Sequence, residues 1–191
     1  MKKQLENQIN LIQSIIENTD LQITVASIID ELSDILSRGL PLLVFGNGGS
    51  AADALHISGE LVGKFYENRK ALNVTCLNSN AIIMTAWAND FNYDTVFERQ
   101  VQAHGVKDGF VWGISTSGNS KSVLLGLQAA QVMGMKTIGM TGNSGGLIED
   151  YSNFLIDVPS SETPRIQELH IPIYHYICQG IEKNLYTNLL N

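Results

Sequence analysis

The sequence is poor in cysteine, proline, positive charge and long apolar runs, and each shortage narrows what the chain is. Its two cysteines, Cys76 and Cys178, stand far apart in apolar surroundings without CxxC spacing. That excludes a disulfide-stapled small domain and points to reduced core residues of a cytoplasmic protein. With 12 Lys+Arg against 19 Asp+Glu, the formal charge is −7, which argues against a nucleic-acid-wrapping module or a binder of anionic membranes. Four prolines in 191 residues leave no proline-rich linker to part a second domain, and no internal repeat is visible. No window approaches the roughly 18 apolar residues of a membrane span. The opening MKKQLENQINLIQ follows its Lys pair with Glu6, Asn7, Gln8 and Asn10 rather than an apolar stretch, so no cleavable signal peptide is expected.

Hydrophobic residues make up 44% of the chain and charged residues only 16%, enough to bury a full-sized core. The length suits a single domain spanning 1–191. Between residues 1 and 39, Leu5, Ile9, Ile12, Ile15 and Ile16, then Val25, Ile28, Ile29, Leu32, Ile35 and Leu36 recur three and four apart. This spacing predicts two amphipathic helices broken near Asn18 to Asp20, a helical hairpin ahead of the core at 40–191. From Leu42 short apolar runs alternate with loops and helical stretches: LLVFG, NVTCL from 73, GFVWGIS from 109, MKTIGMTG from 135 and NFLIDV from 153. Five such runs predict a doubly wound parallel sheet covered by helices on both faces, an α/β fold. A last helix is expected over Thr163 to Leu190, with a kink or local break at Pro172, which lacks a backbone donor.

The loops after these strands carry the chemistry. Gly46-Asn47-Gly48-Gly49-Ser50-Ala51 leads into a helix, where glycines let a ligand approach the main chain and the helix N-terminus offers free N–H groups. The spacing fits the dinucleotide fingerprint G-x-G-x-x-A, but a nicotinamide site wants an acidic residue ending the second strand, and NVTCL runs into Asn78-Ser79-Asn80. No Gly-Lys-Ser/Thr follows, so the loop is not a Walker A motif. The third run delivers Ser115-Thr116-Ser117-Gly118-Asn119-Ser120 ahead of a helix from about Lys121. Its four hydroxyls can bind phosphate without a formal positive charge, which suits an acidic chain. The fourth run ends in a third polar loop, Thr141 to Gly146, on the same carboxyl edge, where open α/β sheets bind ligands.

His56 and Glu60, four apart, share one face of the helix after the first loop. On the last helix Gln167 and His175 are eight apart, about 80° around an ideal helix. Two groups on each of two helices can enclose a proton-transfer site or a divalent metal. The alternatives stay open: His56 and His170 as hydrogen-bonded core residues, Glu60 as a surface carboxylate. His104 beside Gly105 reads as a helix C-terminal cap, and Asn89-Asp90 reads either as a turn or as groups returned to the cleft.

Taken together, GNGGSAADALHISGEL from 46, ANDF from 88, ISTSGNS from 114, MTGNSGG from 140 and RIQELHIPIYH from 165 resemble the sugar isomerase (SIS) fold, and within it the phosphoheptose isomerases, over nearly the whole chain. The resemblance implies a flavodoxin-like, three-layer sheet of five strands, a homotetramer built with the N-terminal helices, and active sites where subunits meet. It implies conversion of D-sedoheptulose 7-phosphate to D-glycero-D-manno-heptose 7-phosphate through an enediol, for lipopolysaccharide or other surface glycans. By position it makes Glu60 the base and His175 the partner acid/base. His56, Glu60, Gln167 and His175 would be zinc ligands, one ion per subunit. Asn47, Gly48, Gly49, Ser50, Asn89, Asp90 and Gln167, with Glu60, would contact the sugar, and Ser115, Thr116, Ser117 and Ser120 would form the phosphate loop. Pro164 stands where family members can carry an acidic residue. A non-catalytic adaptor like the DnaA initiator-associating protein shares the fold, but resembles an isomerase stripped of the catalytic pair, whereas Glu60 and His175 are both present here. An isomerase or sensor of another sugar phosphate is the second alternative.

Overall fold

The computed structural model describes residues 1–186. At its centre lie five parallel strands, β1 (Leu42–Gly46), β2 (Val74–Cys76), β3 (Phe110–Ser115), β4 (Lys136–Thr141) and β5 (Phe154–Asp157), in the order β2-β1-β3-β4-β5. Each strand falls within the run that its apolar composition marks. The strands alternate sides as a pleat requires. Leu42 and Val44, with Phe110, Trp112 and Ile114, face one layer of helices, while Leu43, Phe45 and Val111 face the other. Because both faces are covered, β1 and β3 are buried at every residue, the reason their sequences read as continuous apolar runs.

One layer consists of α2 (Thr19–Ser37), α3 (Gly49–Val62) and α7 (Thr163–Tyr186). The other contains α5 (Val96–His104) and α6 (Lys121–Val132), with α4 (Ala81–Asp90) beside them. The chain's first helix, α1 (Lys2–Glu17), meets α2 at a single residue. Asn18 serves both: its N–H donates to the Ile15 carbonyl at 3.2 Å, and its side chain accepts from the Leu21 N–H at 3.0 Å. No residue of α1 is buried. Its apolar positions Leu5, Ile9, Ile12 and Ile16 remain exposed, unlike those of α2, which enter the core.

Of the kink or local break expected at Pro172, the break does not occur, and α7 runs through it without interruption. Pro172 lies on the exposed side, while Leu169, Ile173, Tyr174 and Ile177 are buried before and after it. A mid-helix proline costs about 3 kcal/mol or more, and burial of side chains worth about 1.5–3 kcal/mol each outweighs that. The last residues assigned to this helix from the sequence, 187–190, lie outside the described residues. The C-cap of α5 is Gly105, and His104, which the sequence suggests as the cap, is the last residue of the helix. Among the described residues no helix is long and apolar enough to cross a membrane.

Candidate active site

Strand order 2-1-3-4-5 has its switch point between β1 and β3, where adjacent strands send their following helices to opposite faces. The Gly46–Ser50 and Ser115–Ser120 loops leave the sheet at this point, and hydrogen bonds tie them together. The Asn47 amide donates to Ser120 Oγ at 2.8 Å and to Ser122 Oγ at 2.9 Å, while the Tyr93 hydroxyl donates to Asn47 Oδ1 at 2.6 Å. Asn78, which displaces the acidic residue a dinucleotide site wants, braces the first loop. Its side chain accepts from the Gly46 N–H at 3.2 Å and donates to the Gly46 carbonyl at 2.8 Å.

In the second loop Ser115 is buried, Thr116 and Ser120 are half-buried, and Ser117 is exposed. The Asn119 N–H donates to Ser117 Oγ at 3.1 Å. Ser120 opens α6 without a side-chain cap, so the first N–H groups of that helix are free for an anion. Gly118 adopts φ +64°, and a Cβ there would collide with the main chain of Gly145 and Gly146, so the third loop closes against the second only at a glycine. Two cations near these loops in sequence are paired among the described residues: Lys121 with Asp94 at 2.9 Å, both exposed, and Arg165 with Glu168 at 2.7 Å.

On the first loop Gly48 takes φ +57° at the start of α3, with no side-chain cap. Gly49 lies directly under the Gln167 amide, which a Cβ would strike. α3 and α7 approach closely there, and two turns further along they bring His56, Glu60 and His175 together. One ligand atom from each lies within 4.8 Å of the others. His56 Nε2 is 3.1 Å from Glu60 Oε1 and 3.5 Å from His175 Nε2. Burial, followed by the His56 charge, pushes the His175 imidazole below its ordinary value, against the pull of Glu60. The Gln167 side chain makes no hydrogen bond among the described residues and is half-buried over Gly49, two turns before this cluster.

The remaining candidates separate. His170 is a core residue, wholly buried, with Nε2 bonded to the Thr141 carbonyl at 3.0 Å. Burial drives it down to about 4 despite that bond. Asn89 and Asp90 bond to each other at 2.9 Å at the exposed end of α4, and from that part of the chain it is Tyr93 that reaches the first loop. Arg69, to which the sequence assigns nothing, holds the end of α3. Its guanidinium donates to the carbonyls of Glu60 and Leu61, both at 2.8 Å, and its Nε to Glu182 Oε2 at 2.7 Å. Burial alone would raise the Glu182 carboxyl, but N–H groups of Tyr66, Glu67 and Phe65 together with Arg69 hold it below its usual value.

Behind His56 stand two residues that spacing alone does not single out. The Tyr174 hydroxyl lies 2.9 Å from His56 Nδ1, and the buried Asp53, three residues before His56, faces the same hydroxyl. Burial lifts the Asp53 carboxyl to about 6, with His56 and Tyr174 pulling the other way. Asp53 sits one turn before His56 and Tyr174 adjoins His175, so adjacency to the candidate ligands was the available signal.

The SIS domain family model matches residues 5–142. A phosphoheptose isomerase of Synechocystis is 44% identical over 163 residues, covering 85% of this chain and 84% of the relative. The chain belongs to the phosphoheptose isomerase family. A second member, from Aneurinibacillus thermoaerophilus, is 38% identical and covers 98% of this chain and 95% of its own length. The solved structure of a phosphoheptose isomerase from Francisella tularensis superposes with a TM-score of 0.89 at 30% identity, covering 95% of this chain and 96% of that one. This phosphoheptose isomerase family member thus keeps the family fold over nearly its whole length.

Proposed function

We propose that the chain interconverts D-sedoheptulose 7-phosphate and D-glycero-D-manno-heptose 7-phosphate, supplying heptose for surface glycans. The observation that carries this reading is the convergence of Glu60, His56 and His175, two turns along α3 from the polar loops at the sheet's switch point. Ketose–aldose exchange moves one proton between C1 and C2 and others on the sugar oxygens. Glu60 is the carbon base: its Oε1 faces His56, while Oε2 makes no hydrogen bond among the described residues. His175, its imidazole favoured in the neutral form, exchanges protons with the oxygens at C1 and C2 and assists ring opening. Asn47, Gly48, Gly49, Ser50, Asn89, Asp90 and Gln167 contact the sugar, and Ser115, Thr116, Ser117 and Ser120 hold the phosphate. The exposure of Asn89 and Asp90 leaves them free for substrate or a neighbouring chain.

The same cluster fits zinc. A tetrahedral ion with bonds of about 2.0–2.1 Å sets its donor atoms about 3.3–3.4 Å apart; two of the three observed spacings, 3.1 and 3.5 Å, bracket that value, and the third lies within 4.8 Å. His56, Glu60 and His175 would hold the ion, and Gln167, whose amide lies over Gly49, would turn toward them to serve as fourth ligand. Bound zinc would polarise the substrate carbonyl.

The active unit is a homotetramer with sites between subunits. Supporting this, an apolar cleft of about 410 Å³ between α1, α2 and α7 is lined by Ile12, Ile16, Val25, Pro172 and Tyr176. Glu60 also lies eleven residues beyond Gly49 on α3, about 16 Å along an ideal helix. An extended heptose phosphate spans only about 10 Å from C1 to phosphorus at about 1.5 Å per bond. A cluster from one chain facing the cup of another shortens that span. The buried free thiols of Cys76 and Cys178 suit a reducing cytoplasm.

The test is turnover followed by NMR, with sedoheptulose 7-phosphate beside hexose 6-phosphates, for the wild type and Glu60→Gln. The wild type should convert the heptulose alone, while the variant binds it without isomerising. Turnover of only a hexose phosphate, or of neither sugar, overturns the assignment. A fully active Glu60→Gln removes Glu60 as the base.

A further inference from the structure

Resting on that zinc reading, we infer that Tyr174 is a positioning residue that sets which nitrogen of His56 faces the metal. A histidine ligand must present a bare nitrogen to the ion, and the partner of its other nitrogen fixes which one. His56 Nε2 points at Glu60 Oε1 and His175 Nε2, and Nδ1 points at the Tyr174 hydroxyl. That hydroxyl is able to donate to Nδ1 or to accept from it, and only the second choice leaves Nε2 bare. Asp53 makes the choice. Its buried side chain lies next to that hydroxyl, and its Oδ2 makes no hydrogen bond among the described residues, so it is the acceptor left open to the Tyr174 O–H. With the Tyr174 O–H directed to this acceptor, the phenol oxygen accepts the Nδ1–H proton. The order is then Asp53, Tyr174, His56 and cation.

The arrangement is rigid. Tyr174 is buried, and its ring meets His56 edge-on with centroids 5.5 Å apart, and the adjacent His175 likewise at 4.9 Å. One side chain therefore touches two of the three converging groups, and only its hydroxyl enters the relay.

The experiment uses the full chain, stripped of metal and reloaded. Zinc affinity is read by competition with a chromophoric chelator, and ligand geometry from the visible absorption of the cobalt-loaded protein. Tyr174→Phe keeps the ring and removes the hydroxyl, and should weaken zinc about 10–100-fold and alter the cobalt spectrum, with the thermal midpoint of the metal-free protein kept. Tyr174→Leu should lose the same affinity and also lower that midpoint, which separates the hydroxyl from packing. Wild-type zinc affinity and an unchanged cobalt spectrum in Tyr174→Phe overturn the inference. If Tyr174→Phe does not fold, Asp53→Asn decides, with weakened zinc expected and wild-type affinity refuting the relay. A wild type that takes up neither zinc nor cobalt overturns the metal reading itself, before any variant is compared.

Discussion

Replacing His170 by glutamine should relieve a large loss of stability that this histidine brings to the wild type on acidification. His170 is wholly buried, its Nε2 bonded to the Thr141 carbonyl at 3.0 Å and its Nδ1 without a partner among the described residues. A proton on Nδ1 would place an unpaired charge in the core, so the imidazole sits at about 4 instead of 6.5. As pH falls through 6.5 the unfolded chain takes up this proton first. The contribution is therefore complete above pH 6.5 and is lost progressively down to about pH 4. At about 1.4 kcal/mol per pH unit between the two values, roughly 3 kcal/mol is at stake. Asp53 works in the opposite direction. Raised from 3.8 to about 6, it favours the folded chain as pH falls through that window. The two nearly cancel in the wild type, and the difference between wild type and variant isolates His170. In His170→Gln the new side chain fills similar space and its amide can still donate to the Thr141 carbonyl, but it does not titrate. Urea unfolding of both metal-free proteins at one chain concentration, followed by circular dichroism between pH 4 and 7.5, should show the stability gap moving about 3 kcal/mol against the wild type on acidification. A gap that stays constant across this range would show that His170 does not titrate differently in the two states.

The remaining predictions concern ligand and assembly. Ser117→Ala combined with Ser120→Ala removes two hydroxyls from the cup and should raise KM for the sugar phosphate about tenfold or more, at about 1 kcal/mol per lost bond, with the fold intact by circular dichroism. An unchanged KM would dismiss the loop as the phosphate site. Light scattering should give the mass of four chains, and charges placed on α1 by Ile12→Asp with Ile16→Asp should dissociate them. A tetramer that tolerates both charges would locate its interface elsewhere.

The helices and strands were legible because local patterns reported the fold directly. Both faces of the sheet are buried, so β1 and β3 read as unbroken apolar runs, and Asn18 marked the joint between α1 and α2. Pro172 does not break α7: backbone chemistry at one residue says nothing of the core contacts on either side of it. The candidate set around His56, Glu60 and His175 was visible in helical spacing and in the family resemblance. The roles of Tyr174, Asp53, Tyr93 and Arg69 were not, since each acts through a partner that only the fold brings within reach.

By itself the sequence determined the class of fold, the loops that carry hydroxyls and glycines, and the acidic balance, a charge of −7, that turns attention to neutral donors. Tertiary structure alone decided which histidine is core and which is site. His56 and His170 both lie on amphipathic helices, and only the packing of α7 against β4 and α3 sends one to the Thr141 carbonyl and opens the other to Glu60 and His175. The physical reason is that a side chain's chemistry is set by what surrounds it, and strand order, which no local pattern encodes, determines those surroundings.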